Sequence, residues 1–477
     1  MQLILVTALL LAQAQAKPGE QEVKHPITGV YHGDIKDPVK KDVLMKVIMQ
    51  APPKLPELKT LGLILLHHGF NGNENNYFGG TVDCAKRLGL TDQYVIVAGK
   101  SRGAGWTPAD DEYELRLIAW LKETYPIDPR RVYIWGSSNG AAHVGRFGWQ
   151  HQELFAAVTG YCGSYNFTQQ PENLKGKMPP PPMVAESKTE WYFVHGGDDN
   201  PQNSANAAKE LKQKGYRTIF RKLDGYGHTD IWDGNGHPDK VLVDAVRDDW
   251  FSWMHSLRHK EIAPTKDERA SLSAMAGKMK TEKADGIKPL LAEVSRIGGA
   301  PGAKLVNAAM DSANADVRAA ATATTEKTIY GREIVMELLK QLKDKSDEVK
   351  QAAYKGIAVA SNFRYAEAQE TLIRTARSKN TPAAERVLAI EGLGKTVKLM
   401  LPGNFEDRMV VWTLVLLLDD DDEKVRAAAF ATLEKGVKDT HGYKPELPTV
   451  ERKASVAKWH AWCAKAAGPL EQAAAVR

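Results

Sequence analysis

The sequence predicts an α/β region built on a mainly parallel sheet, followed by an all-α region of repeated helices. Three observations carry this. Up to about residue 260, short apolar, β-branched runs alternate with stretches of helical period. Beyond about residue 262 the strand signal fades and alanine-rich helical segments follow one another. Several of those segments share one order of acidic, aliphatic, basic and small residues, the mark of an internal repeat. At 477 residues the chain is also too long for one ordinary core.

The expected strands are "LGLILLHH" (61–68), "YVIVAG" (94–99), "RVYIWG" (131–136), "FAAVTGY" (155–161), "WYFVHG" (191–196) and "TIFRKL" (218–223). "VLMKVIMQAP" (43–52) adds a strand toward the amino-terminal edge. Near-continuous apolar runs of this kind belong to strands covered on both faces, and alternation with helices implies parallel pairing. "DEYELRLIAWLKETY" (111–125) reads as a helix with Leu115, Ile118, Ala119 and Tyr125 on one face.

In the second region "ANADVRAAATAT" (313–324), "KSDEVKQAAYKG" (345–356) and "DDEKVRAAAFAT" (421–432) are alike, with a looser copy in "TPAAERVLAIEGLG" (381–394). Their spacing of roughly 30–40 residues is typical of paired-helix repeats. Asp or Asn ahead of each helix caps its free amides, and small residues let helices approach closely. The segments resemble HEAT repeats; an ordinary helical domain is the alternative. Such an array offers an extended surface for a protein or polymer partner, or serves as a structural appendage. The acidic run Asp419–Asp422 reads as helix capping and solvation rather than a cation site.

Residues 3–12, "LILVTALLLA", followed by "AQA" at 14–16, read as an export signal cleaved before Lys17, which implies a secreted or periplasmic protein. The expected layout is a signal peptide over 1–16, an α/β region over 17–262, a connecting helix or linker over 263–284 and helical repeats over 285–477. No segment is long enough to cross a membrane. A net charge of +5 without any long Lys/Arg block gives no argument for nucleic acid. Cys84, Cys162 and Cys463 are too sparse for a disulfide scaffold, and their pairing stays open. No C-x-x-C or H-E-x-x-H occurs, so no protein-held zinc site is expected.

One short stretch carries chemistry. "WGSSNGAA" (135–142) fits G-x-S-x-G in a single frame, centred on Ser138 between Gly136 and Gly140. Strand residues precede it and a helix follows, the context in which a sharp turn exposes a serine hydroxyl. A serine needs a histidine to take its proton, a carboxylate to orient that histidine, and donors for the oxyanion. The required chain order places an acid in "VHGGDDN", at Asp198 or Asp199, and the histidine at His228 in "DGYGHTDIW". The oxyanion donors are expected at the backbone N–H of Asn139 and, from "HHGFNGNENN", of Phe70. His67 and His68 are expected to orient that loop, and His143, His151 and His195 to be structural.

With these motifs, residues 40–258 resemble the α/β-hydrolase esterases grouped with polyhydroxybutyrate depolymerases, feruloyl esterases and acetylxylan esterases. "IDPRRVYIWGSSNG" followed by "FAAVTGYCGS" is the most specific carrier. The resemblance favours Asp199 over Asp198, because the family acid sits four positions after the His of H-G-x-x-D. It implies an α/β-hydrolase sheet and carboxylic-ester hydrolysis by Ser138, His228 and Asp199, without metal or organic cofactor. Ala141 stands where the family often has a second glycine. Trp106, Tyr161, Tyr165, Tyr226 and Trp232 are candidates for stacking on a substrate ring. The polar "CGSYNFTQQPENLKGKMPPPPMVAESKTE", with four prolines at 179–182, is a candidate overhang of the site. A serine peptidase of related fold and an inactive binding scaffold are the competing readings.

Overall fold

The computed structural model describes residues 26–467 and Leu470, apart from Leu58, Asn166, 168–188, Asp224, 229–239, 260–261, 280–283, 327–330, Arg364, 398–407, Gly436 and Lys438. The expected export signal, the four prolines and Trp232 lie outside the described residues.

Eight strands form one sheet: β1 (Gly29–Lys36), β2 (Val43–Ala51), β3 (Leu61–His67), β4 (Tyr94–Gly99), β5 (Ile127–Ser137), β6 (Ala157–Tyr161), β7 (Glu190–Gly196) and β8 (Thr218–Leu223). Their order is β1-β2-β4-β3-β5-β6-β7-β8. β1 and β2, and β2 and β4, pair antiparallel; every other pair is parallel. This is the α/β-hydrolase sheet that the resemblance implied. All the expected strands form. β1 was not expected, because "GVYHGDIK" alternates half-exposed and exposed residues along an edge and carries little apolar signal.

Helices cover both faces. α1 (Phe78–Arg87), α2 (Asp111–Thr124), α3 (Asn139–Gln150), α4 (Gln202–Gln213) and α5 (Lys240–Ser256) connect or follow the strands. The buried stripe of α2 differs from the expected one. Glu114, Leu117, Ile118, Trp120 and Leu121 are buried, while Leu115 is half-buried and Ala119 exposed. A carboxylate thus occupies a core position, at the same spacing from Leu117, Ile118 and Leu121 that an apolar residue would have.

Strand alternation divides the sheet's side chains between two cores. Leu63, Leu65, Val97, Ile134 and Phe193 face one way. Ile64, Leu66, Ile96, Trp135 and Val194 face the other, where their core runs through Trp250, Trp253 and Met254 into Leu272, Leu291, Leu338 and Trp459. One apolar core therefore joins the sheet to the helical region.

That region holds α6 (Lys266–Met279), α7 (Ala284–Ile297), α8 (Gly299–Met310), α9 (Ala315–Thr324), α10 (Arg332–Gln341), α11 (Asp347–Asn362), α12 (Ala366–Arg377), α13 (Ala383–Val397), α14 (Arg408–Leu416), α15 (Glu423–Glu434) and α16 (Thr449–Ala467). Two layers form, each helix packing on the next but one: α9, α11, α13 and α15 in one layer, α8, α10, α12, α14 and α16 in the other. The four repeat segments supply the whole first layer. Asn314, Ser346 and Asp422 cap three of its helices through side-chain oxygens. Cross-links join neighbours: Arg318 Nε to Asp344 Oδ2 at 2.6 Å, Lys350 to Glu385 at 3.5 Å and Arg386 Nη1 to Asp420 Oδ1 at 3.1 Å. In the acidic run Asp419 also faces Arg452, Asp421 pairs with Lys379, and Asp422 is the α15 cap.

The expected connecting helix is α6. Thr265 and Glu268 form reciprocal side-chain-to-amide bonds across its first turn, at 3.2 and 2.9 Å. Glu268 also binds Arg130 of β5 at 2.5 Å. Farther along, the carbonyls of Asn362 and Phe363 at the end of α11 have no intrahelical donor. Arg221 of β8 and Arg217 just before it supply donors at 3.0 and 2.9 Å, where a cation also complements the helix dipole. The Arg217 guanidinium lies 3.7 Å over the Tyr365 ring.

Candidate active site

β5 is paired on both sides, with β3 and with β6, and its last residue, Ser137, is 1% exposed. The chain then bends at Ser138, with φ 54° and ψ −116°, and α3 begins at the next residue. A positive φ on a non-glycine residue costs on the order of 1–3 kcal/mol and persists only when its surroundings enforce it. Here the Ser138 amide donates to the Tyr161 carbonyl at 2.9 Å, and its carbonyl accepts from the Ala142 amide at 3.0 Å. The flanking glycines are steric necessities. A Cβ on Gly136 would stand 2.3 Å from the Gly140 carbonyl oxygen, and one on Gly140 would stand 2.5 Å from that of His68.

Three loops at the carboxyl ends of strands meet at this bend. The Ser138 hydroxyl donates to His228 Nε2 at 2.8 Å, and His228 Nδ1–H donates to Asp199 Oδ2 at 2.7 Å. The His228 loop is held at the ends of β6 and β7: the Asp198 amide, just past β7, donates to the Tyr226 carbonyl, and the Tyr161 hydroxyl of β6 to that of Gly227. Asp198 is exposed, and Asp199 is the aspartate that reaches the imidazole. Burial opposes the Asp199 charge, but bonds from His228 and His195 outweigh it and hold its pKa below the usual carboxylate value.

The second loop wall is built from β3. Gly69 lies against Ser138, close enough that a Cβ there would be 3.3 Å from the serine Cβ. The Gly69 carbonyl accepts from His68 Nδ1–H at 2.6 Å, and from the Gly72 amide. His68 Nε2 accepts from the Ser101 amide at 3.0 Å, which fixes the neutral tautomer. Burial pushes the His68 pKa down to about 4. In a trans peptide C=O and N–H point opposite ways. By anchoring the Gly69 carbonyl, His68 therefore sets the direction of the Phe70 N–H. Asn139, the first residue of α3, ties the bend to the loop after β4 by accepting from the Trp106 amide at 2.6 Å.

Behind the bend sits a cluster that the sequence reading missed. Glu114 of α2 lies between His67 of β3 and His143 of α3, each Nε2 at 2.8 Å from one carboxylate oxygen. All three are buried. Burial opposes the Glu114 charge, yet the two imidazoles hold its pKa well below the usual carboxylate value. The donor atoms are near enough to share an ion; in the structure His143 Nε2 bonds Glu114 Oε2, and His67 Nε2 faces Oε1. The signal in the sequence was the carboxylate at a core position of α2.

His195 was expected to be structural only. It contacts Asp199 Oδ2 through Nε2 at 2.9 Å and Ser204 Oγ through Nδ1 at 2.7 Å. The stacking candidates need correction. Trp106, Tyr161 and Tyr226 are 4%, 0% and 1% exposed, so no ring face is open to a substrate. Their polar edges instead position loops, as when Trp106 Nε1–H donates to the His68 carbonyl at 3.0 Å. The Tyr165 ring packs against Gly145, Gly160 and Gly163. Among the described residues, Phe70 beside the bend is an exposed aromatic, 65% accessible.

No protein-family model and no curated protein matches the chain. Among solved structures, a thermostable esterase is similar at 18% identity and TM-score 0.37, over 48% of this chain and 63% of that one. An acetyl xylan esterase from Aspergillus awamori is similar at 20% identity and TM-score 0.31, over 42% and 92% of the two chains. Est1E from Butyrivibrio proteoclasticus is similar at 13% identity and TM-score 0.35, over 48% and 99%. At such identities and scores, these likenesses assign no activity to the chain.

Proposed function

We propose that the protein is an exported serine esterase. The observation that carries this reading is the unbroken chain of hydrogen bonds from Ser138 through His228 to Asp199. Ser138 attacks the ester carbonyl while His228 Nε2 takes its proton. Asp199 holds the imidazole in the tautomer that leaves Nε2 free and stabilises the imidazolium that follows. The N–H groups of Asn139 and Phe70 receive the oxyanion; the anchored Gly69 carbonyl supports the role of Phe70. His228 then protonates the leaving alcohol, and water attacks the acyl-enzyme by the same route.

The family resemblance sets the substrate range at feruloyl, acetyl-sugar or polyester bonds. The exposed Phe70 ring favours an ester with an apolar or aromatic group near its carbonyl. Residues 17–262 form the esterase region in this reading, 263–284 the connector and 285–477 a HEAT-like array that offers its surface to a protein or polymer. Export rests on the apolar run at 3–12.

The test is a hydrolysis screen over short aryl esters, feruloylated sugars, acetylated xylan, polyhydroxybutyrate and peptide amides, with fluorophosphonate labelling. Ester turnover, with labelling lost in Ser138→Ala, supports the proposal. Folded protein that takes no label and cleaves no ester overturns it, and preferential amide cleavage favours the peptidase.

A further inference from the structure

Asp199 Oδ2 is approached by two imidazoles. His228 Nδ1 lies at 2.7 Å on the exposed side and His195 Nε2 at 2.9 Å on the buried side. Behind His195 stands Ser204, fully buried in the first turn of α4, with Oγ 2.7 Å from His195 Nδ1. A carboxylate thus lies between two Ser–His pairs, one open and one sealed.

The protonation pattern of the sealed pair follows from its partners. An ionised carboxylate only accepts, so His195 Nε2 carries the hydrogen. Burial disfavours the imidazolium, so Nδ1 is bare and takes the Ser204 hydroxyl proton as an acceptor. The other ionisable neighbours are neutral: burial pushes the Cys162 thiol beside Asp199 up to about 12 and raises the Tyr165 phenol.

We propose that His195, locked in one tautomer by Ser204, is a positioning residue that clamps Asp199 so that Oδ2 stays aimed at His228. The inference rests on the esterase reading and adds two residues to it. The clamp does two things. It fixes the carboxylate rotamer, which the exposed His228 and the weakly donating Cys162 thiol would hold less firmly by themselves. It also shares the charge of the carboxylate, so that His228 meets a weaker base.

The test compares wild type with His195→Ala, His195→Gln and Ser204→Ala on p-nitrophenyl acetate. Rates are counted per Ser138 titrated with fluorophosphonate, so misfolded protein drops out. His195→Ala is expected to lower kcat on the order of 10- to 100-fold with KM little changed, because misorientation acts on the chemical step. Without the second donor Asp199 becomes more basic and stabilises the His228 imidazolium, so the acid limb of kcat/KM moves to higher pH. Glutamine, whose amide N–H replaces Nε2–H, is expected to recover most of both losses. Ser204→Ala removes only the tautomer lock and is expected to move kcat and the limb in the same direction by less; it serves as the readout if His195→Ala does not fold. A limb that stays in place with kcat per titrated site unchanged overturns the clamp, as does a folded His195→Ala that glutamine does not improve upon. Absence of any labelling in wild type overturns the esterase reading instead.

Discussion

In the sheet region, polar side chains converge from several elements: His67, Glu114 and His143, all buried, behind the bend, and His195, Asp199 and His228 beside it. In the helical region they are strung out at repeat intervals, Arg318 to Asp344, Lys350 to Glu385 and Arg386 to Asp420. Each convergent group fixes several loops at once. Each rung of the ladder joins only neighbouring repeats, as in a quasi-one-dimensional stack. Damage in the first region should therefore appear in chemistry, and damage in the second in local stability.

The sharpest break is Ser138→Ala, expected to lower kcat/KM by about 10⁴-fold or more while the melting temperature stays in place. Residual activity within tenfold of wild type would mean that Ser138 is not the nucleophile. Arg386→Ala strands the buried Asp420 carboxylate and is expected to cost about 3–5 kcal/mol. Turnover per titrated serine should not change. Hydrogen exchange should rise in α13 and α15 and not around Ser138; exchange spreading through the whole sheet would refute the local ladder.

Acidification should separate the regions next. Burial pushes His68 down to about 4 and lowers His143, His195 and His255. As pH falls, the unfolded chain protonates these groups near 6.5 while the folded chain does not, so stability present above 6.5 is lost on the way down to about 4. For His68 alone the slope is about 1.4 kcal/mol per pH unit over that window. The helical carboxylates respond lower. The Arg318 bond holds Asp344 down, and Arg386 does so for Asp420 against its burial, so their contribution is lost only below the usual carboxylate range. Peptide-resolved hydrogen exchange at pH 7 and pH 5 should show the sheet region loosening first; the opposite order would contradict this assignment. The smallest effect is expected at Arg332, which is 65% exposed in its pair with Glu367. Arg332→Ala should cost less than about 1 kcal/mol in denaturant titration, and a larger loss would show that exposed rungs also carry the array.

Legibility followed chain locality. Apolar runs of β3 to β8 announced themselves because both faces of those strands are covered, whereas half-exposed β1 did not. G-x-S-x-G was readable because its glycines answer clashes within a few residues and with the adjoining strand. The aromatic candidates misled because a place in or beside a site loop says nothing of which way a ring turns, and Trp106, Tyr161 and Tyr226 turn inward. His195 was passed over because its partner Ser204 is recognisable only once α4 is folded onto β7.

The sequence by itself determined the order of strands and helices, the bend at Ser138 and the phase of the four repeat helices, since periodicity, capping and tight turns act between near neighbours. Tertiary structure decided what no local rule reaches. It set Asp199 between two imidazoles and closed Glu114 against His67 and His143. It also seated the end of α11 on Arg221 of β8 and Arg217 just before it, so that the helical array shares a core with one face of the sheet. Apart from His195 and Asp199, four residues apart, those pairings span tens to more than a hundred residues, and their free energy comes from burial and charge compensation that exist only once the partners are brought together.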